Sequence, residues 1–203
     1  MQKIAKICEE NSIFYSVHTK SAILTKSLNY SLLNYHSENL KKPEEKRTCI
    51  HVIPNLYEYI LTNTREKYLK VSIQDVDEAI FKGIMKKLNK IKGVEVLSVV
   101  HSPKKNIVIE GKEVELDYFY TEITCKNVNK WTSIKKLIKK LHIKPKEVIS
   151  IGDNINDKEM IQNSGMGVVM GNSAPYMKGI GDLVVADNNE NGVAEAINKL
   201  ILQ

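Results

Sequence analysis

The sequence is short of several features, and each shortage closes off a class of function. No apolar run approaches the roughly 20 residues that cross a bilayer as a helix, so no membrane-spanning helix is expected. The stretch Met1-Gln-Lys-Ile-Ala-Lys-Ile-Cys-Glu-Glu10 interleaves charged and apolar side chains, without the apolar centre or small-residue cleavage site of a secretory signal. Cys8, Cys49 and Cys125 are scattered and odd in number, and no Cys-x-x-Cys pair occurs. That argues against a disulfide framework and a zinc site, and suits a reducing cytoplasm. The five histidines, His18, His36, His51, His101 and His142, show no His-x-x-x-His spacing, and there is no Gly-x-Ser-x-Gly elbow. Arginine is nearly missing: Arg47 and Arg65 stand against a Lys+Arg total of 30. Readers of nucleic-acid grooves lean on arginine's planar fork, so the net charge of +6 does not make nucleic acid an expected partner.

What is present is an ordinary globular composition, 42% apolar and 27% charged over 203 residues, enough to bury one good core or two modest ones. The densest basic cluster, Lys135, Lys136, Lys139, Lys140, Lys144 and Lys146, interleaves with Ile134, Leu137, Ile138 and Leu141 at helical spacing, the pattern of a solvated helix face. Residues 2–11 carry a helical stripe of Ile4, Ile7 and Cys8. Strands are expected at Ile13–His18, Ala22–Thr25, Tyr68–Ile73, Val94–His101, Ile107–Ile109 and Val114–Ile123, with turns at Ser102-Pro-Lys-Lys and Glu110-Gly-Lys. Val76–Ile91 is an amphipathic helix; Asn29–Glu38 reads as a short helix or a turn, Cys49–Ile53 as strand or loop, and Leu56–Asn63 is ambiguous. After Thr124 the grammar changes. Helices at Trp131–Leu141, Asn156–Asn163, Ala174–Lys178 and Gly192–Leu202 alternate with strands at Val148–Ile151, Met166–Met170 and Leu183–Val185, the pattern of a parallel α/β sheet. A boundary is therefore expected near Thr124, with an antiparallel α+β unit before it.

The chemistry is concentrated in Val148-Ile-Ser-Ile-Gly-Asp-Asn-Ile-Asn-Asp157, where an apolar strand stops at Gly152 and carboxylate or carboxamide side chains follow at once. Asp153 falls at the carboxyl end of a parallel strand, the usual mouth of an α/β site. A carboxylate there can hold a hard cation such as Mg²⁺ through oxygen, and the adjoining helix start offers N–H groups to a phosphate. The same residues also read as a helix cap, with Asn156 at the N-cap and Glu159 three positions on. The two readings are compatible. Asp75-Val-Asp77 follows a strand, but Glu78 and Ala79 come next, and Asp75 with Glu78 reads as a capping box. Gly165-Met-Gly-Val-Val-Met170 leads into a strand instead of opening a helix, so it fails as a dinucleotide fingerprint. Lys130, 23 residues before Asp153, carries no signal alone.

Taken together, Lys130-Trp-Thr-Ser-Ile-Lys-Lys-Leu, Ile149-Ser-Ile-Gly-Asp-Asn-Ile-Asn-Asp-Lys-Glu-Met160, Ser164-Gly-Met-Gly-Val-Val-Met-Gly-Asn172 and Asn191-Gly-Val-Ala-Glu-Ala196 resemble, in order and spacing, the haloacid dehalogenase superfamily in its Cof-type sugar-phosphatase branch. The match covers about 128–202; residues before it look like the α+β cap of the same branch. The resemblance implies an α/β fold, with residues 1–124 as cap and 125–203 as the C-terminal half of a Rossmann-like core. It also implies Mg²⁺-dependent hydrolysis of small phosphate monoesters such as sugar phosphates, through an aspartyl phosphate. By the same resemblance Lys130 neutralises the phosphate, Asp153 ligates Mg²⁺, Asp157 supports the metal shell or orients Lys130, and Asn156 and Asn172 contact substrate or phosphate.

The family's opening strand carries a nucleophilic Asp, a second Asp and a Thr or Ser as Asp-x-Asp-Gly-Thr, and that motif does not occur in these residues. Met1 falls inside the expected cap, so the chain reads as a truncated or split phosphatase. Without that strand the edge beside Val148–Ile151 is expected to be unpaired and prone to association, with a second copy or an N-terminal fragment to cover it. The alternative is a non-catalytic binding or interaction remnant of the family.

Overall fold

The computed structural model describes residues 1–97, 100–101, 105–109, 112–116 and 119–202. The chain divides into two compact units, Met1–Lys126 and Asn127–Gln203. The break comes two residues after the Thr124 at which the sequence pattern changes.

The first unit runs α1 (Gln2–Glu10), β1 (Phe14–His18), β2 (Ala22–Thr25), α2 (Tyr30–Leu40), β3 (Cys49–Val52), α3 (Leu56–Thr62), β4 (Lys70–Asp75), α4 (Glu78–Leu88), β5 (Val94–Val96), β6 (Val100–His101), β7 (Lys105–Ile109), β8 (Lys112–Leu116) and β9 (Phe119–Cys125). Among the described residues its main sheet has the order β3-β2-β1-β4-β9-β5, with β6 also on β9, while β7 and β8 form a separate hairpin. Neighbours are antiparallel except for β2 and β3, which run parallel and depart from the purely antiparallel expectation. Strand alternation sorts the side chains. Tyr15 and Val17 of β1, Val71 and Ile73 of β4 and Ile123 of β9 join Ile4 and Cys8 of α1, Ile60 of α3 and Phe81 of α4 in one core. Phe81, Ile84, Met85 and Leu88 recur at 3–4-residue intervals along α4, which is why that helix buries a single face.

Three local expectations are corrected here. The stretch Val114–Ile123 is not one strand but β8 and β9, and Val94–His101 is likewise split into β5 and β6. The cap of α4 is Asp77, whose carboxylate accepts the Ile80 N–H at 2.9 Å; Asp75 instead accepts the Asp77 N–H at 2.8 Å, so Asp75 and Glu78 form no box. The turn expected at 102–105 lies outside the described residues except for Lys105, and Glu110-Gly111 lies outside them altogether.

The second unit runs α5 (Lys130–Lys140), β10 (Ile149–Gly152), α6 (Lys158–Asn163), β11 (Met166–Val169), α7 (Pro175–Lys178), β12 (Leu183–Val184) and α8 (Gly192–Leu200). The strands form a parallel sheet in the order β10-β11-β12, with Ile149 beside Met166 and Val168 beside Leu183. On one face Val169 packs with Ile161 of α6 and Met177 of α7, and on the other Val168 and Met170 pack with Ala196 of α8. Trp131 and Ile138 of α5 meet Met160 of α6. The basic side chains Lys135, Lys136, Lys139, Lys140, Lys144 and Lys146 are exposed.

Among the described residues β10 is hydrogen-bonded on one side only. Met166 donates to the Val148 carbonyl and Met170 to the Gly152 carbonyl, so the even-numbered groups of β10 face β11. Parallel pairing alternates; the backbone groups of Ile149 and Ile151 therefore point to the open edge. Leu137 on α5 and Leu141 at its C-cap are each 56% exposed, so that helix covers only part of its apolar surface.

Candidate active site

The site is assembled where β10 ends. Gly152 is followed by a turn in which Asn154 caps a short 3-10 segment, Ile155–Asp157, by accepting the Ile155 N–H at 2.7 Å. The chain then folds back so that the Asp157 carboxylate lies under its own loop. Its Oδ2 accepts the N–H groups of Asp153 at 3.0 Å and Asn154 at 3.1 Å, and its Oδ1 takes the Lys130 ammonium in an ion pair. The side chain of Asp157 is 3% exposed against 50% for Lys130. A buried carboxylate is costly unless every oxygen is matched; here two backbone donors and one cation supply the match. Gly152 is required by the same packing, because a Cβ built on it would sit 2.4 Å from the Asp157 Cβ.

Lys130 is delivered by the first turn of α5, whose start is fixed by Asn129. The Asn129 side chain accepts the Thr132 N–H at 2.8 Å while the Thr132 hydroxyl accepts the Asn129 N–H at 3.0 Å. That reciprocal cap sets the helix register and so the direction of Lys130.

Asp153 is exposed, and its Oδ2 accepts a hydrogen bond from the Asn172 amide at 3.2 Å. Asn172 lies in the turn after β11, and its own oxygen accepts the Asn188 N–H at 3.2 Å. Lys130 and Asp157 are thus directly paired, and so are Asp153 and Asn172, with the two pairs joined by the Asp153 N–H on Asp157. Asn156 differs from its expected role. It is not the N-cap, since Asn154 caps the 3-10 segment and Asp157 immediately precedes α6; its amide oxygen is buried with no hydrogen-bond partner among the described residues. The Asn188 contact was not legible in the sequence, because a backbone donor leaves no residue signature.

Among the described residues no three His, Cys, Asp or Glu side chains gather as a metal cage. The donor set fits a hard cation at a single carboxylate: Asp153 presents oxygen to solvent, whereas Asp157 is committed to internal partners. Mg²⁺ is commonly held this way, by one or two carboxylates with water and phosphate completing its shell.

Two perturbed groups of the first unit, His18 and Glu122, lie on the sheet face opposite its core. His18 Nε2 is 3.3 Å from the Ser72 hydroxyl, which is 3.4 Å from the Tyr120 hydroxyl; Tyr120 donates to Glu122, and Lys70 pairs with Glu122 at 2.6 Å. Burial, reinforced by Lys70 and opposed by Glu122, lowers His18 to about 4. Burial pushes the Glu122 carboxyl up, but hydrogen bonds from Lys70 and Tyr120 and the charges of Lys70 and His18 outweigh it and hold it below its ordinary value.

Residues 1–197 match the model of the haloacid dehalogenase-like hydrolases. The chain is 38% identical over 80 residues to phosphatase YwpJ of Bacillus subtilis, covering 39% of this chain and 28% of that protein. It is 30% identical over 139 residues to the 5-amino-6-(5-phospho-D-ribitylamino)uracil phosphatase YcsE of the same organism, covering 68% of this chain and 49% of that one. The solved structure of the haloacid dehalogenase subclass IIB sugar phosphatase BT4131 superposes with a TM-score of 0.70 at 19% identity, over 98% of this chain and 64% of that one. The chain therefore spans less than two thirds of the length of each. It belongs to the haloacid dehalogenase-like hydrolase family, with the fold of the Cof-type branch.

Proposed function

We propose that this chain supplies the cap and the cation-and-lysine half of a Mg²⁺-dependent phosphatase acting on small phosphorylated metabolites, sugar phosphates among them. The single observation that carries this is the linked set Lys130–Asp157–Asp153–Asn172 at the carboxyl end of a parallel strand. In this reading Met1–Lys126 is the cap and Asn127–Gln203 the C-terminal half of the core. Asp153 would hold Mg²⁺, which when bound supplies charge to offset that of a phosphoryl group. Lys130, half exposed and aimed by Asp157, places an ammonium against the phosphate oxygens. The Asn172 amide orients the Asp153 carboxylate, and Asn156 lines the same turn as a substrate contact. The nucleophilic carboxylate comes from a strand outside these residues, on the same or a separate polypeptide, paired along the open edge of β10. The three free cysteines suit a reducing, cytoplasmic setting.

The test is to add a family N-terminal fragment bearing Asp-x-Asp-Gly-Thr and follow release of inorganic phosphate from sugar phosphates with and without Mg²⁺. Restored hydrolysis, reduced about 10²–10³-fold by Lys130→Ala, supports the proposal; a folded complex that hydrolyses nothing overturns it. The open edge of β10 and the exposed Leu137 and Leu141 favour a second reading, a non-catalytic module in which a second copy covers the edge. A monomer in sedimentation at high concentration would exclude that reading.

A further inference from the structure

Asn172 is oriented by a loop 16 residues further along the chain, and that loop is held by several hydrogen bonds of its own. Ala186 N–H donates to the Glu195 carboxylate at 2.7 Å, fixing the chain as it leaves β12. Asp187 then accepts two backbone donors on one carboxylate oxygen, Asn189 N–H at 2.7 Å and Glu190 N–H at 2.9 Å, while its carbonyl takes the Gly192 N–H at 3.0 Å. Asn191 closes the turn at a positive φ of 58°, a conformation Asn tolerates. The loop is pressed onto the turn that carries Asn172: Gly171 donates to the Ala186 carbonyl at 3.1 Å, and a Cβ on Gly171 would lie 2.9 Å from the Asp187 nitrogen.

The outcome of this construction is the Asn188 N–H on the Asn172 oxygen at 3.2 Å. A backbone N–H can only donate, so it selects the oxygen end of the Asn172 amide and leaves the NH₂ end for Asp153. We infer that Asp187 is a positioning residue for the site: it shapes the turn that presents Asn188 N–H, and through Asn172 it sets the direction of the Asp153 carboxylate. The inference rests on the phosphatase reading for its meaning, not for its geometry.

The experiment uses the ¹⁵N-labelled 203-residue chain and its variants Asp187→Ala, Asp187→Asn and Asn172→Ala. Exchange with water is measured at the Asn188 backbone amide and the Asn172 side-chain amide. Asp187→Ala is expected to speed both about fivefold to tenfold, the loss of about one hydrogen bond. Asp187→Asn, which keeps an acceptor for the turn, is expected to stay within about twofold of the parent. In the Asn172→Ala background Asp187→Ala adds nothing at Asn188. If Asp187→Ala changes only Asn189 and Glu190 and leaves the Asn172 amide as it was, Asp187 merely builds its own turn and the inference falls. It falls equally if Asp187→Asn behaves as Asp187→Ala. Calorimetric titration with Mg²⁺ forms a second arm, with affinity expected to drop about threefold in Asp187→Ala. A parent chain that takes up no Mg²⁺ would count against the cation reading of Asp153, while the exchange arm still decides the role of Asp187.

Discussion

At the scale of single residues, Asp157 is where structure and chemistry coincide most tightly. It holds two backbone N–H groups and one ammonium from a buried position. Hydrogen bonds to a charged group are worth about 1.5–3 kcal/mol each, so Asp157→Ala should destabilise the second unit by about 3 kcal/mol, read as a lower urea midpoint with unchanged slope. Asp157→Asn keeps an oxygen acceptor for the two loop N–H groups but turns an NH₂ donor toward the Lys130 ammonium, so it should fall between. His18 gives a prediction with a defined pH window. Its folded value of about 4 lies below its ordinary 6.5, so the unfolded chain binds the proton more readily. The stability it contributes is complete above pH 6.5 and is lost as the pH falls toward 4. The shift corresponds to ~2 kcal/mol after allowance for its partial exposure. Thermal melts of His18→Gln should lose most of that slope. Burial also lifts the Cys8 thiol to about 12, whereas Cys49 and Cys125 are exposed. A thiol reagent at neutral pH should modify Cys49 and Cys125 promptly and Cys8 only on unfolding. Much of this level was legible beforehand: the side-chain types at Lys130, Asp153 and Asp157 are written in the sequence. What was not legible is partition of labour, since two carboxylates four positions apart look alike until one is seen buried. The cap assignments to Asp75 and Asn156 failed for a related reason, because each has a competing Asp or Asn two positions away and only backbone direction chooses between them.

Among the elements, α5 and β10 are the pair with unfinished business at their surfaces. Trp131 and Ile138 are buried, yet Leu137 and Leu141 are not, although all four belong to one apolar stripe. The sequence showed the stripe but could not show that only part of it is covered, since periodicity reports which face is apolar and not what stands opposite. Replacing Leu137 and Leu141 by Lys should leave the far-ultraviolet spectrum unchanged and weaken concentration-dependent association in sedimentation, because the exposed apolar area is removed. Long, strongly periodic elements were readable near their ends: α5 to within one residue, α4 to within two at its start and three at its end. Short ones were not: α3 has Leu56 and Ile60 buried among tyrosines that suit strand or helix, and its seven residues hold too little periodicity to decide. The parallel approach of β2 and β3 likewise depends on the path of α2 between them, which no local pattern records.

For the molecule as a whole, the two units differ in how well each is finished. Met1–Lys126 has one continuous core fed by three helices and the strands of a broad sheet. Asn127–Gln203 has three short strands, small separate apolar clusters and half-covered helices. Urea denaturation followed by tryptophan fluorescence, which reports Trp131 alone, should therefore precede the loss of far-ultraviolet signal contributed mainly by the first unit. Coincident transitions would show that the two units unfold together.

The Lys130–Asp157 pair also changes what survival of a motif can mean. It joins positions 27 apart and fastens the start of α5 to the turn after β10. A descendant that no longer turned over any substrate would still need that fastener, so natural selection would go on preserving it. Drift would reach the solvent-facing partners first, Asp153 and Asn172, whose side chains hold up little else. In a lineage of such chains, the variability of those two positions against the constancy of Lys130 and Asp157 would date the loss of chemistry more faithfully than the pair that looks most catalytic.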